Sequence, residues 1–241
     1  MPARPADAAP SFEPLGESTL LVRFGSCIDA SLNARVHATV AALRAAALPG
    51  VGDIAPAYAS LALRYHPATW AEGGASPWRN LAGAVGAVLA HAPAFEEANP
   101  RTIVIPVRYG GGHGPDLEPL ASLLGLSPRQ LAERHAGGEY RVAMLGFAPG
   151  FPYLLGLDPA LHAPRLANPR VRVPRGSVAI GGAQTGIYPS ELPGGWQLIG
   201  RTPLALFDAA REPACLLAAG DAVHFRAIDE MEFAALEQAP R

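Results

Sequence analysis

With 241 residues and a hydrophobic content of 49%, the chain carries enough apolar material for one large or two modest domains, each burying a core, which excludes disorder throughout. A formal charge of -2 gives no basic field of the kind that non-specific nucleic-acid binding needs, so no nucleic-acid partner is expected. All 19 basic residues are arginine, which excludes Schiff-base chemistry and the lysine of a P-loop; any anion must be held by guanidinium groups, backbone N–H groups or histidine.

In chain order, residues 1–17 are Ala/Pro-rich and read as a flexible tail. They lack the apolar core of a signal peptide, and no later apolar run approaches a membrane span, so the expectation is a cytoplasmic protein with no membrane partner. "TLLVRF" (19–24) is a strand candidate. A helix is predicted from about Asp29 to Ala47, because Leu32, Val36, Val40 and Leu43 recur at spacings of four and three; Asp29 or Ser31 can cap it and Pro49-Gly50 stops it. "YASLALRY" (58–65) alternates as a half-buried strand, and Ser76-Pro77 opens a second helix carrying Leu81, Val85, Val88 and Leu89. The order of elements suggests a small α/β domain of ferredoxin-like type over 18–98.

"APAFEEANP" (92–100) reads as a linker, and the second domain is expected over 99–241. "RTIVIPVRY" (101–109) is a strand that either begins the second unit or closes the sheet of the first. Two short helices follow, one from Asp116 and one from Ser127, where Ser127 and Gln130 have the spacing of a capping box. From Tyr140 onward the chain offers short strand candidates, "YRVAMLGF", "SVAIGG", "WQLIG", "ALFDA" and "AVHFRAI", between glycine and proline loops. Many short strands with such turns point to a closed or nearly closed barrel or a sandwich, so the fold class is α+β. Asp229 caps a C-terminal helix. Cys27 and Cys215 form no metal-ligand cluster with each other and read as reduced, part-buried small residues.

Three stretches carry candidate chemistry. In "GFAPGFPYL", Gly146, Pro149, Gly150 and Pro152 dictate a shaped loop leaving the strand at 140–145, from which Phe147, Phe151 and Tyr153 present rings, either as a plug at the end of the barrel or as a pocket wall. The window 140–205 holds six arginines, Arg141, Arg165, Arg170, Arg172, Arg175 and Arg201, against Asp158 and Glu191 alone. That surplus suits a small carboxylate, a phosphate or an acidic protein face, although alternate arginines on a strand also simply face water. Ser177, Gln184, Thr185, Tyr188, Trp196 and Thr202 lie in the same stretches; the hydroxyl and amide groups among them suit an amide-like or carboxylate ligand or hydrogen bonding within turns. His113, in a glycine-rich loop, reads as a pH-sensitive contact or as nothing; Asp116 reads as a helix N-cap, and His135 as a side chain favoured by a helix C-terminus. No HExxH, CxxC, GxSxG or GxxxxGK[ST] pattern is present, so an ATP site would not be of the standard P-loop kind.

"YGGGHGPDL", "YRVAMLGFAPGFPYL", "PRVRVPRGSVAIGGAQTGIYP", "PGGWQLIGRTPLALFD" and "AGDAVHF" closely resemble the family of the 5-oxoprolinase B subunit (PxpB), also described as KipI-like or allophanate hydrolase subunit 1, over about residues 17–228. The resemblance implies an N-terminal α/β domain followed by a cyclophilin-like β-barrel. It also implies a component that, with the C and A subunits of the enzyme, opens 5-oxoproline to glutamate in a reaction driven by ATP, with Mg2+ accompanying the nucleotide. Related members inhibit a histidine kinase or belong to urea- or allophanate-processing systems linked to biotin carboxylases, which are the alternative readings. In one place this chain departs from the pattern: where the family commonly carries an acidic residue after "YGG", it has Gly112 and then His113, so no acid role is carried over to that loop.

Overall fold

The computed structural model describes residues 9–91 and 100–239, and the chain divides into two units, Met1–Asn99 and Pro100–Arg241. The start of the expected tail, 1–8, and all of the expected linker except Pro100 lie outside the described residues.

In the first unit the alternation of apolar residues builds a sheet and the 3.6-residue period builds the helices that cover it. Strands β1 (Ser11–Pro14), β2 (Thr19–Arg23), β3 (Val51–Pro56) and β4 (Ser60–Tyr65) form an antiparallel sheet in the order β1-β2-β4-β3, with helices α1 (Ala30–Ala46) and α2 (Pro77–His91). Leu20 and Val22 of β2 and Leu61, Leu63 and Tyr65 of β4 pack with Leu32, Val36, Val40 and Leu43 of α1 and Leu81 and Val85 of α2. Asp29 caps α1 as its sequence position predicts: its carboxylate accepts the N–H groups of Ser31 and Leu32 at 2.9 and 3.0 Å, worth about 1 kcal/mol. Buried Asn33 donates from Nδ2 to the carbonyls of Ala57 and Tyr58, tying α1 to the β3–β4 turn. Two corrections follow. The expected tail ends early, because Ser11–Pro14 pairs with β2 as an edge strand. Cys27 is exposed rather than part-buried, whereas Cys215 is partly covered.

The second unit is a closed seven-stranded barrel. Its strands are β5 (Thr102–Tyr109), β6 (Tyr140–Leu145), β7 (Pro152–Leu155), β9 (Ser177–Gly181), β10 (Gln184–Ile187), β12 (Gln197–Arg201) and β13 (Ala222–Ala227). They run β10-β7-β6-β13-β5-β12-β9, and pairing of β9 with β10 closes the ring. Every pair is antiparallel except β13 with β5. Strands β8 (Arg170–Val173) and β11 (Leu192–Gly194) form a separate two-stranded ribbon. Inward residues of alternate register, among them Ile105, Val107, Val142, Leu154, Val178, Ile180, Ile199 and Val223, are fully buried. Helices α3 (Leu117–Leu123) and α4 (Pro128–Ala136) add Leu117, Leu120 and Leu131 to this core, and α5 (Glu230–Gln238) follows β13. The capping box at Ser127 and Gln130 is formed in both directions, and Asp229 accepts the N–H of Glu232 at the start of α5.

Sequence expectations fail here at three points. "ALFDA" is not a strand; it contributes one isolated bridge, Phe207 to Cys215. The loop after β6 is shorter than its glycine and proline content suggests, because Pro152–Leu155 returns to the sheet as β7 against β6. Asp116 precedes α3, yet its carboxylate makes no cap bond to that helix.

Candidate functional site

Some of the arginines and rings singled out in the sequence come together in two groups within the barrel unit. The first is a cleft lined by Arg175, Arg201, Thr202, Pro203 and Glu237. Arg201 ends β12, and its Nε–H donates to the carbonyl of Arg175 at 2.8 Å, while its Nη2 lies 4.0 Å from Glu237 Oε1 of α5. The turn that presents Arg175 depends on Gly176, whose φ of +81° and whose approach to Thr202 leave no room for a Cβ, which would sit 2.2 Å from the Thr202 carbonyl. Ser177 closes the same turn by donating its hydroxyl to the Pro174 carbonyl at 2.7 Å, and the buried Thr202 hydroxyl accepts the N–H of Leu204.

The second group is aromatic. Phe151, Tyr188 and Trp196 are buried with Val173, Ala179 and Leu198, and Tyr153 packs against them partly exposed. The rings meet mostly edge to face, at 5.2 Å for Phe151 and Tyr188 and 5.8 Å for Phe151 and Trp196. Pro149 lies exposed in the turn before Phe151. Burial pushes the Tyr188 hydroxyl pKa up, against the opposing charge of Arg165. Arg165 itself stands over the Trp196 ring at 5.7 Å. Phe147, in contrast, is 61% exposed.

Beside this cluster Arg170 of β8 donates from Nη2 to Asp116 Oδ1 at 2.6 Å, and Asp116 Oδ2 accepts the N–H of Leu198 at 2.6 Å. Two residues proposed separately from the sequence are thus one ion pair that joins the start of α3, the ribbon and β12. Arg172, on the ribbon, pairs at the surface with Glu191. Gln184 opens β10 partly exposed.

Other candidates are taken up elsewhere. Thr185 is fully buried, and its hydroxyl donates to the Ala179 carbonyl at 3.0 Å while accepting from His135 Nε2 at 2.9 Å. Because its single proton goes to Ala179, the Nε2 of His135 carries hydrogen, and Nδ1 accepts the Tyr109 hydroxyl at 2.8 Å. Through this chain of bonds Thr185 and His135, both fully buried, tie α4 to β10 and β5 and are not exposed at the surface. Burial pushes the His135 pKa down to about 3. His113 bonds through Nε2 to Glu230 Oε1 at 3.2 Å and lies on the Phe233 ring at 4.3 Å. Glu230 also meets Arg108, and its pKa is lowered, first by the His113 bond. Glu230 and Glu237, which the sequence reading missed, lie seven residues apart on one face of α5, and that spacing was the available signal.

A model of the carboxyltransferase domain, subdomain C and D, matches residues 10–217. The B subunit of 5-oxoprolinase from Bacillus subtilis (strain 168) is 44% identical over 230 residues, which span 94% of this chain and 96% of that protein. The crystal structure of TTHA0988 superposes with a TM-score of 0.75 at 39% identity over 88% of this chain, and the match spans 40% of the longer TTHA0988 chain. Urea amidolyase of Kluyveromyces lactis shares the fold, with a TM-score of 0.73 at 19% identity over 96% of this chain and 16% of its own.

Proposed function

We infer, because the chain belongs to the family of the carboxyltransferase domain, subdomain C and D, that it works as the B subunit of a 5-oxoprolinase. The observation that carries this reading is the 44% identity to a 5-oxoprolinase B subunit along almost the whole of both chains. The closed barrel of the second unit is compatible with the cyclophilin-like barrel that the family resemblance implies. The first unit is compatible with a ferredoxin-like order in which the N-terminal β1 takes the outer place beside β2.

In this reading the protein acts in the cytoplasm with the C and A subunits and is inactive alone. The reaction opens the lactam of 5-oxoproline to glutamate. A lactam is a poor electrophile, and phosphorylation of its oxygen by ATP is the activation that chemistry suggests. The cleft at Arg175 and Arg201 supplies guanidinium groups suited to a small carboxylate or phosphate. It does not fit ATP with its Mg2+: its volume is about 70 Å³, against several hundred for a site that encloses a ligand of drug size. No step through the nucleotide is therefore assigned to the residues of this cleft; in this reading ATP is used by the complex, at a site that this chain can share with a partner subunit.

The test is ATP-dependent 5-oxoproline turnover by the purified chain alone and with its candidate C and A subunits. Turnover in the full mixture alone is expected; none in any mixture of folded components sinks the reading. Arg201→Ala and Arg175→Ala, each folded and still assembled, are expected to cut kcat/KM at least tenfold, and unchanged turnover would remove the cleft from the mechanism.

A further inference from the structure

We propose that Phe147 and Val171 form the centre of a docking surface for a second protein, one that offers an apolar recess edged by carboxylates; resting on the reading above, that protein is the subunit which completes the enzyme.

Strain is the first observation. Phe147 has φ of +68°, a left-handed conformation that is strained for a bulky aromatic residue. The loop enforces it: Gly146 donates to the Phe151 carbonyl at 3.2 Å, Ala148 to the Gly146 carbonyl at 2.7 Å and Phe151 to the Ala148 carbonyl at 3.0 Å. Core packing does not account for this strain, because the ring it holds is 61% exposed. A backbone that holds a large ring out into water at such a cost is expected where the ring is used.

The second observation is the ribbon. Val173 of β8 is fully buried in the aromatic cluster, and Val171, two residues earlier and therefore on the same face, is 84% exposed. The apolar face of β8 thus runs out of the cluster into solvent. Phe147 is anchored to the same cluster, edge-on to Phe151 at 5.4 Å and to Tyr188 at 6.5 Å. Its base is therefore rigid, and little side-chain freedom is lost when the surface is covered.

The occupant follows from shape, charge and kinship. A projecting ring fills a partner's recess, whereas a small ligand is held in a concavity. Arg165 over Trp196 places a guanidinium group beside the patch, suited to acidic residues on the partner's rim, while Arg172 is already paired with Glu191. In TTHA0988 the 39% identical counterpart is 40% of a longer chain, so there this unit is tethered to further protein.

The test measures the affinity of the full chain for its candidate C subunit by calorimetry, together with 5-oxoproline turnover in the full mixture. Phe147→Asn keeps a residue that tolerates the left-handed backbone, and Val171→Ser alters an exposed site, so both are expected to fold. Each is expected to weaken the complex at least tenfold, with the Tm of the free chain unchanged or raised. Unchanged affinity, failure of the unmodified chain to bind the C subunit, or a raised KM for 5-oxoproline at unchanged affinity would each overturn the proposal, the last by making the loop a substrate wall. Weakened binding without turnover in any mixture would overturn the enzymatic reading instead and leave the docking surface standing.

Discussion

Asp116 joins three segments through two oxygens, one on Arg170 and one on the N–H of Leu198. Asp116→Ala strips a partner from a buried amide and from a guanidinium together, so a loss of about 2–3 kcal/mol is expected. Arg170→Ala leaves the Leu198 bond in place and is expected to cost about 1 kcal/mol. Urea unfolding followed by near-ultraviolet circular dichroism reads both, and equal effects would refute the division of labour. His135 makes a second prediction, with a sign. Its pKa in the folded chain is down at about 3, below the ordinary value near 6.5. Between those values the unfolded chain takes up a proton that the folded chain refuses, so stability falls as pH falls through that window and is level above it. The slope from this residue is at most about 1.4 kcal/mol per pH unit. His135→Gln should lose that slope, which urea titrations at pH 4, 5, 6 and 7 would detect. None of this was legible from residue type: an aspartate before a helix reads as a cap and a histidine near a helix end reads as a dipole partner, until the barrel brings Leu198, Thr185 and Tyr109 beside them.

At the scale of elements, the helices were the legible part. Asp29 and α1, the capping box of α4 and Asp229 with α5 are local devices whose partners lie within four residues, so sequence carries them. Strands β3 and β7 were not: β3 has no alternation to announce it, and β7 hides in a stretch punctuated by Gly150, Pro152 and Gly156. The ribbon of β8 and β11 packs on the aromatic cluster through Val173 and Leu192, and glycines of β9 and β11 leave room for its rings. A Cβ on Gly194 would lie 2.2 Å from the Tyr188 hydroxyl, and one on Gly181 would lie 2.6 Å from the Trp196 ring. Gly194→Ala is expected to cost about 1–3 kcal/mol by forcing Tyr188 aside. The ring signals of the cluster in near-ultraviolet circular dichroism should change with it, and an unaltered spectrum at unaltered Tm would contradict the packing argument.

At the scale of the whole molecule, the two-part α+β organisation could be read from the change in texture near residue 100, and the arginine surplus pointed to the barrel unit. Which arginines share a cleft could not be read, because Arg175 and Arg201 meet only when the turn at Gly176 lies on the end of β12. The barrel itself sets a further condition. Its first strand, β5, lies parallel to its last, β13, with Ile103 opposite Val223 and Ile105 opposite Phe225. About 120 residues of chain separate these partners, which at typical rates of synthesis is about 6–24 s. Until β12 is made, a ribosome-bound chain carries β5 with both edges bare, and one edge stays bare until β13 follows. Production of this protein is thus expected to lean on chaperones during translation, and slowing elongation between codons 110 and 222 should lower the soluble yield more than slowing it before codon 100.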